Sequence, residues 1–347
     1  MKVLRLGTAC DGCLGEGSPL MGADEMQAWL WEKYGGPEAL RLEQVPKPRP
    51  ASHEVLVKVR AVSINAADWH AMRGKPAFAR LTYGLVHPKP QSLGVDIAGQ
   101  VVSVAEDVEA VKPGDEIFAN LLEHGLGGFA EYVCVPVEAL APKAGGISMA
   151  EAAAVPMSGV TALQGLDHLG QIEPGHKVLI NGGSGGVGTY AVQIAHSYGP
   201  DLTVVTSPQG LETARSLGAD HVVDYTKMDF VESGVRYDFI LDTVGNRSAS
   251  DLKRALAEGG RAAVTGFTSI AKLVGISLRG GKTVTQVQAH VGTADLDRLT
   301  RLITSGVVRP VIVRSFTFAE IPAAIAYVEQ GHAKGKVVAE IAEILPL

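Results

Sequence analysis

The chain has 347 residues, 46% hydrophobic and 20% charged, with a formal net charge of −6. That length suggests two domains and room for a large core, and an acidic balance without a basic run excludes a nucleic-acid partner, whose phosphates call for clustered Lys and Arg. No apolar run reaches the roughly 18 residues of a membrane-spanning helix, and three cysteines, with no secretory or transit-peptide pattern at the start, point to a reducing compartment, the cytoplasm.

Residues 1–25 are Gly-rich and aperiodic and read as a disordered extension, with Met21 and Met26 as alternative starts. Cys10 and Cys13 form a lone Cys-x-x-Cys without a second pair, so neither a zinc nor a redox site is expected of them. From Met26 to about Val137 the pattern is short strands and turns. Residues 27–31 begin it, 54–62 alternate with period two, 96–104 are β-rich, 111–118 turn into a strand, and 129–135 form another. Such spacing predicts a compact β-barrel-like domain.

From about Ala152 the texture changes. A helical stretch over 153–169 leads into apolar strands at 177–181, 202–206, 221–224, 237–242 and 261–265. Helices are expected between them at 189–197, 211–217 and 251–257. Continuous apolar strands alternating with helices mean an α/β unit, a doubly wound parallel sheet covered on both faces. The tail from about Gly292 holds an amphipathic helix (Leu296, Leu299, Leu302, Ile303) and two strand-like segments that should rejoin the first domain.

The strongest local signal is Gly183-Ser184-Gly185-Gly186-Val187-Gly188, a G-x-G-x-x-G with a strand before it and a helix after it. In that context the first glycine permits a tight turn, the second lets backbone approach a pyrophosphate, and the third lets helix and strand pack closely. The helix N-terminus then offers N–H groups and a dipole to the phosphates. The next strand ends Thr206-Ser207-Pro208-Gln209, with no carboxylate to bind the ribose hydroxyls of NAD. Thr206 and Ser207 suit a 2′-phosphate, and Tyr225 and Lys227 stand to edge the same site, so NADP(H) is the expected cofactor. No Arg or Lys lies in that turn itself, and Arg215 follows further down the helix.

With the segments Ser63-Ile64-Asn65-Ala66-Ala67-Asp68, Leu93-Gly94-Val95-Asp96-Ile97-Ala98-Gly99, Asp242-Thr243-Val244-Gly245 and Gly335-Lys336-Val337-Val338, the chain resembles the medium-chain dehydrogenase/reductase superfamily and, within it, the zinc-free quinone oxidoreductase (zeta-crystallin-like) branch. The resemblance implies a GroES-like β-barrel domain over 26–151 and 293–347, a Rossmann domain over 152–292, and a substrate cleft between them. Zinc members carry a Cys in the Asn65 region and Gly-His-Glu where this chain has Gly94-Val95-Asp96; Val95 cannot ligate a metal, and no four-Cys lobe is present, so no metal is expected.

The resemblance places Asn65 and Thr161 near the nicotinamide, and Val244, Gly266, Phe267 and Lys336 among the cofactor contacts. Asn65, His70 and Arg73 are the catalytic candidates. His70, where related quinone reductases often have Tyr, has a side chain that titrates near neutrality and suits a proton donor. Arg73 suits an acidic substrate or a surface carboxylate, and Asp68 suits structural hydrogen bonds. Without a Lewis acid, hydride transfer to a quinone or an α,β-unsaturated carbonyl asks least of the protein. A zinc-free alcohol dehydrogenase or ketone reductase and a non-catalytic NADPH-binding protein are the alternatives. The resemblance also implies a homodimer, with residues 282–287 as the edge strand that pairs.

Overall fold

The computed structural model describes residues 24–342 except Phe78, Pro90, Gln91 and Phe267. The extension expected over 1–25 lies outside the described residues as far as residue 23, and Cys10 and Cys13 with it. The regular pattern opens one residue earlier than Met26, because Glu25 already pairs with Pro46.

Strands β1 (Glu25–Trp31) and β2 (Leu40–Pro46) form an antiparallel pair. Then follow β3 (Glu54–Ile64), helices α1 (Ala66–Arg73) and α2 (Ala79–Tyr83), and strands β4 (Asp96–Val104), β5 (Glu116–Asn120), β6 (Tyr132–Pro136) and β7 (Leu140–Pro142). Strand β6 starts later than the expected 129, because Phe129 turns its backbone to other partners: its N–H donates to Leu93 and its carbonyl accepts from Trp29. Helices α1 and α2 fall in a stretch that reads as strands and turns. The signal for α1 was present: Asn65 and Asp68 form the N-cap and N3 of a capping box, and Gly74 ends the helix at φ 59°.

Helices α3 (Met149–Ala153) and α4 (Pro156–Leu169) lead to the alternating unit. It runs β8 (Lys177–Asn181), α5 (Gly186–His196), β9 (Asp201–Thr206), α6 (Leu211–Ser216), β10 (His221–Asp224), β11 (Tyr237–Asp242), α7 (Ala249–Ala255), β12 (Leu256–Val264), α8 (Ile270–Arg279) and β13 (Val284–Gln286). Among the described residues these strands make one parallel sheet in the order β10-β9-β8-β11-β12-β13, the Rossmann order. Period two sorts its faces. Val178 and Ile180 of β8 pack with Val160 and Leu163 of α4 and Ala191 of α5, while Leu179 between them packs with Leu252 and Ile276 of α7 and α8.

The chain closes with α9 (Thr293–Thr304), β14 (Ile312–Thr317), α10 (Ile321–Glu329) and β15 (Lys336–Glu340). Strand β15 pairs antiparallel with β3, Val337 opposite Ile64, so the tail completes a seven-stranded sheet of order β14-β15-β3-β4-β5-β7 with β6 on β3. The fold is α/β, a GroES-like unit beside a parallel Rossmann sheet. The two share a core: Ala61, Ala98, Phe118 and Val338 lie in one apolar cluster with Val160, Leu163 and Leu166 of α4. No helix among the described residues is long and apolar enough to cross a membrane.

A Cβ at Gly188 would run into the Gly182 carbonyl and the Gly183 backbone, whereas one at Gly275, inside α8, meets nothing within 4 Å. Gly188→Ala is expected to lower the unfolding free energy by about 1–3 kcal/mol, and Gly275→Ala to raise it by roughly 0.5–1 kcal/mol. Urea denaturation of the two variants measures both.

Candidate active site

The parallel sheet reverses its winding between β8 and β11, and ligands of such sheets lie outside the strand ends at that point. The glycine turn sits there. Its division of labour differs from the sequence expectation. Gly182, one residue ahead of the motif, carries the left-handed bend at φ 86°. Gly183 is instead required by contact, since a Cβ there would overlap Val204 of the neighbouring strand. Gly185 is the N-cap of α5 in extended backbone, with no side-chain cap. The first-turn N–H groups of Gly186, Val187 and Gly188 therefore have no intrahelical acceptor and are left for a ligand.

Beside the turn, at the ends of β9 and β10, hydroxyls gather. Ser184 and Thr206 share a hydrogen bond between buried side chains. Gly210, which the sequence reading passed over, packs against both, and a Cβ there would strike the two oxygens. Ser207 Oγ is buried without a hydrogen-bond partner among the described residues. Tyr225 donates its N–H to the Thr206 carbonyl at 3.2 Å and leaves its ring exposed.

Across the switch point, Asp242 organises the end of β11. Its Oδ1 accepts from Asn181 Nδ2 at 2.8 Å and from the N–H groups of Val244 and Gly245 at 3.0 Å each. Gly266 lies so close to this turn that a Cβ would overlap the backbone of residues 243–245. Val244 and Gly266 are thus brought together; Phe267 lies outside the described residues.

The densest polar contacts lie between the two sheets. Lys336, the first residue of β15, is buried and donates from Nζ to Asn65 Oδ1 at 2.6 Å and to Ser158 Oγ of α4 at 3.0 Å. Asn65 Nδ2 donates to Asp96 Oδ2 at 2.9 Å, and Asp96 also accepts from Asn120 Nδ2 at 2.7 Å and from the Met157 N–H at 3.2 Å. Asp68 Oδ2 accepts the Asn65 N–H at 2.8 Å. A Cβ on Gly186 would stand 3.3 Å from Lys336 Cδ and 3.4 Å from Ser158 Oγ, so the network reaches the glycine turn itself. Thr161, one turn further along α4, donates to the Met157 carbonyl at 2.6 Å. Burial lowers the Lys336 pKa, an effect the neighbouring Asp96 and Asp68 oppose. Burial likewise raises Asp96, against the pull of Lys336 and its hydrogen-bond donors, and pushes Asp68 up to about 7.

This donor set does not fit zinc. Where a tetrahedral ion would want thiolate, imidazole or carboxylate, the chain has the amide of Asn65 and the apolar side chain of Val95. The Lys336 ammonium stands 4.0 Å from Asp96 Oδ2. Among the described residues no group of three or more His, Cys, Asp or Glu side chains comes together as a metal site.

Two catalytic candidates change character. Arg73 forms a two-pronged pair with Glu329 of α10, Nε to Oε1 at 2.7 Å and Nη2 to Oε2 at 2.8 Å. It ties α1 to α10 and leaves the catalytic set, because its fork is already occupied by a carboxylate. His70 stacks on Trp69 with ring centroids 3.6 Å apart, and its Nδ1 is 2.9 Å from the Lys75 carbonyl. A carbonyl only accepts, so Nδ1 carries the hydrogen and Nε2 of the neutral ring has none to give. Burial also lowers the His70 pKa, against the proton-donor role. The Cys134 thiol, pushed up to about 12 by burial, is no nucleophile. A cavity of about 560 Å³ lined by His168, Lys253, Arg261 and Lys282 lies by the start of β12 and the approach to β13, away from the glycine turn.

Two family descriptions match the chain: an alcohol dehydrogenase GroES-like domain over residues 51–145 and a zinc-binding dehydrogenase over 217–338. The chain is 33% identical to the mitochondrial NAD(P)H oxidoreductase RTN4IP1 of Mus musculus, over 91% of this chain and 89% of that one. It is 35% identical to the chloroplastic NADPH-dependent alkenal/one oxidoreductase of Arabidopsis thaliana, over 90% and 79%. Among solved structures, the quinone oxidoreductase from Coxiella burnetii superposes with a TM-score of 0.83 at 27% identity, covering 92% of this chain and all (100%) of that one. The CurK enoyl reductase gives 0.80 at 28%, covering 92% and 100%.

Because Arg73 is held by Glu329, Arg73→Ala should cost stability rather than turnover. A double-mutant cycle with Glu329→Ala is expected to give a coupling of about 0.5–1 kcal/mol for this partly buried pair, with kcat changed less than about twofold, read from denaturation and steady-state rates.

Proposed function

The chain belongs to the medium-chain dehydrogenase/reductase superfamily, and we propose that it is an NADPH-dependent, zinc-independent oxidoreductase that delivers a hydride to a quinone or an α,β-unsaturated carbonyl. The observation that carries this reading is the buried Lys336–Asn65–Ser158 cluster set against the first turn of α5. It puts a cation and polar side chains beside the helix start that we read as phosphate-binding, in a family whose zinc members keep a metal in this region. We read residues 26–151 with the tail from 293 as one unit, and 152–292 as the other.

The N–H groups of Gly186, Val187 and Gly188 would hold the diphosphate, Lys336 and Asn65 the nicotinamide-side ribose, and Thr161, Val244 and Gly266 the nicotinamide. NADPH over NADH is supported by what stands at the end of β9: the Ser184–Thr206 pair and a Ser207 hydroxyl without a partner among the described residues, with no carboxylate on that strand end, while Asp224, which closes β10, accepts from Thr226. When bound, the cofactor supplies the hydride at its nicotinamide ring. The protein's share is to fix that ring, exclude water and offer polar groups to the acceptor's carbonyl oxygen. The location we infer is the cytoplasm.

Purified chain in the presence of a chelator should oxidise NADPH, and NADH at least about tenfold more slowly, when a quinone or an enone is added. Turnover of a simple ketone alone would replace this reading with that of an alcohol dehydrogenase, and tight NADPH binding without turnover would replace it with a binding role.

We also infer a homodimer through the edge of the parallel sheet. Strand β13 ends that sheet, and the adjoining α8 exposes Ile270, Val274 and Leu278 at four-residue spacing. Light scattering should give twice the 36.3 kDa chain mass, and a monomer mass would refute the pairing.

A further inference from the structure

We propose that Asp68 is a positioning residue of the cofactor site and that cofactor binding is coupled to uptake of a proton on its carboxyl group, an inference that rests on the glycine turn and Lys336 being the NADPH site.

The position in the helix explains only half of this side chain. At N3 of α1, Asp68 receives the Asn65 N–H on Oδ2, which is all that capping requires. Capping residues normally stand at the surface, yet Asp68 is fully buried, and its second oxygen, Oδ1, makes no hydrogen bond of ordinary geometry among the described residues, the Gly94 backbone giving the carboxylate only a weak one. An ionised carboxylate left that way is costly, and the same group carrying a proton costs less, because a buried neutral hydroxyl is less expensive than a buried charge.

The surrounding charges point the same way. The groups facing Asp68 are Asn65 at the start of its own helix, the backbone of Gly94, Asp96 of β4, Lys336 of β15 and Tyr83 of α2. One ammonium therefore serves two buried carboxylates, and the cluster is neutral only if one carboxylate holds a proton. Asp96 is the one equipped to stay ionised, with donors from Asn65, Asn120 and Met157 and the ammonium at 4.0 Å. Asp68 is left with the proton, in keeping with its pKa of about 7, which burial and then Asp96 raise against the pull of the Asn65 and Gly94 backbone and of Lys336.

The coupling runs through two side chains. Asp68 fixes Asn65, Asn65 accepts from Lys336, and the stem of Lys336 lies against the first turn of α5. A diphosphate bound at that turn adds negative charge next to the cluster and so favours the protonated form of Asp68. By linkage, protonated Asp68 favours the cofactor to the same degree. The sign follows. As pH rises through 7 the free protein loses this proton, and NADPH binding must restore it. The dissociation constant should rise with pH, by at most tenfold per pH unit.

NADPH fluorescence titrations of the full chain from pH 7 to 9 test this, a range above the second ionisation of a phosphomonoester near roughly 6. The wild-type Kd is expected to rise several-fold per unit. Asp68→Asn retains an acceptor for the Asn65 N–H, and its Kd should stay within twofold across the range, close to the wild-type value at pH 7. The pH effect should appear in KM for NADPH and not in kcat. Calorimetry at pH 8 in two buffers of different ionisation enthalpy should show uptake of close to one proton by the wild type, a readout that stands even if Asp68→Asn does not fold. A flat wild-type Kd with no proton uptake overturns the proposal. So does a slope that survives in Asp68→Asn, which would assign the proton to Lys336. Failure of the wild type to bind NADPH at any pH overturns the cofactor reading, and this proposal with it.

Discussion

A buried ammonium must be paired, and in this chain the pairing of Lys336 depends on nearly every element around the site. Its acceptors come from the start of α1 and from α4, and the carboxylate that balances it comes from the first residue of β4, itself held by the last residue of β5. Removing one partner from such a set leaves a charge without compensation, which is the costly case for buried ions. The network is therefore a condition on the whole fold. Strand β15 has to return from the tail to β3, and α4 has to press on the seven-stranded sheet, before Lys336 can be satisfied.

That constraint also bears on how the proposed hydride-transfer site would work without a metal. The cluster supplies a fixed positive charge and oriented amide and hydroxyl groups at the point where two sheets meet, while α5 supplies backbone N–H groups from the other side. Both are set before any ligand arrives, so little reorganisation is left for binding. Glycines keep the approach open: Gly182 by its bend, Gly183, Gly188 and Gly266 by the absence of a side chain where backbone or a neighbouring strand is in contact.

The parallel sheet was legible in the sequence because each strand is a short apolar run bounded by polar or glycine residues; 177–181, 221–224 and 237–242 match the structure residue for residue. Helices α8 and α10 were not, and α1 was missed because its eight residues follow a strand and carry only a weak apolar stripe. The glycine motif located the turn between β8 and α5, but the residue with left-handed backbone is Gly182. Arg73 looked catalytic by nearness to Asn65; its partner is 256 residues away. Distance in sequence also hid Ser158, Asn120 and the second role of Asp68. Lys336 was named from resemblance alone, and its 271-residue separation from Asn65 is bridged only by the pairing of β15 with β3.

The most direct test of the central claim, hydride delivery without a metal, follows the label. Chelator-treated chain would be given NADPH deuterated at the transferable position of its nicotinamide ring, with an enone as acceptor, and the product analysed by mass spectrometry and proton NMR. One deuterium at the β-carbon of the saturated product is the expected result. Product lacking the label, or labelled product that forms only after zinc is restored, would contradict the claim.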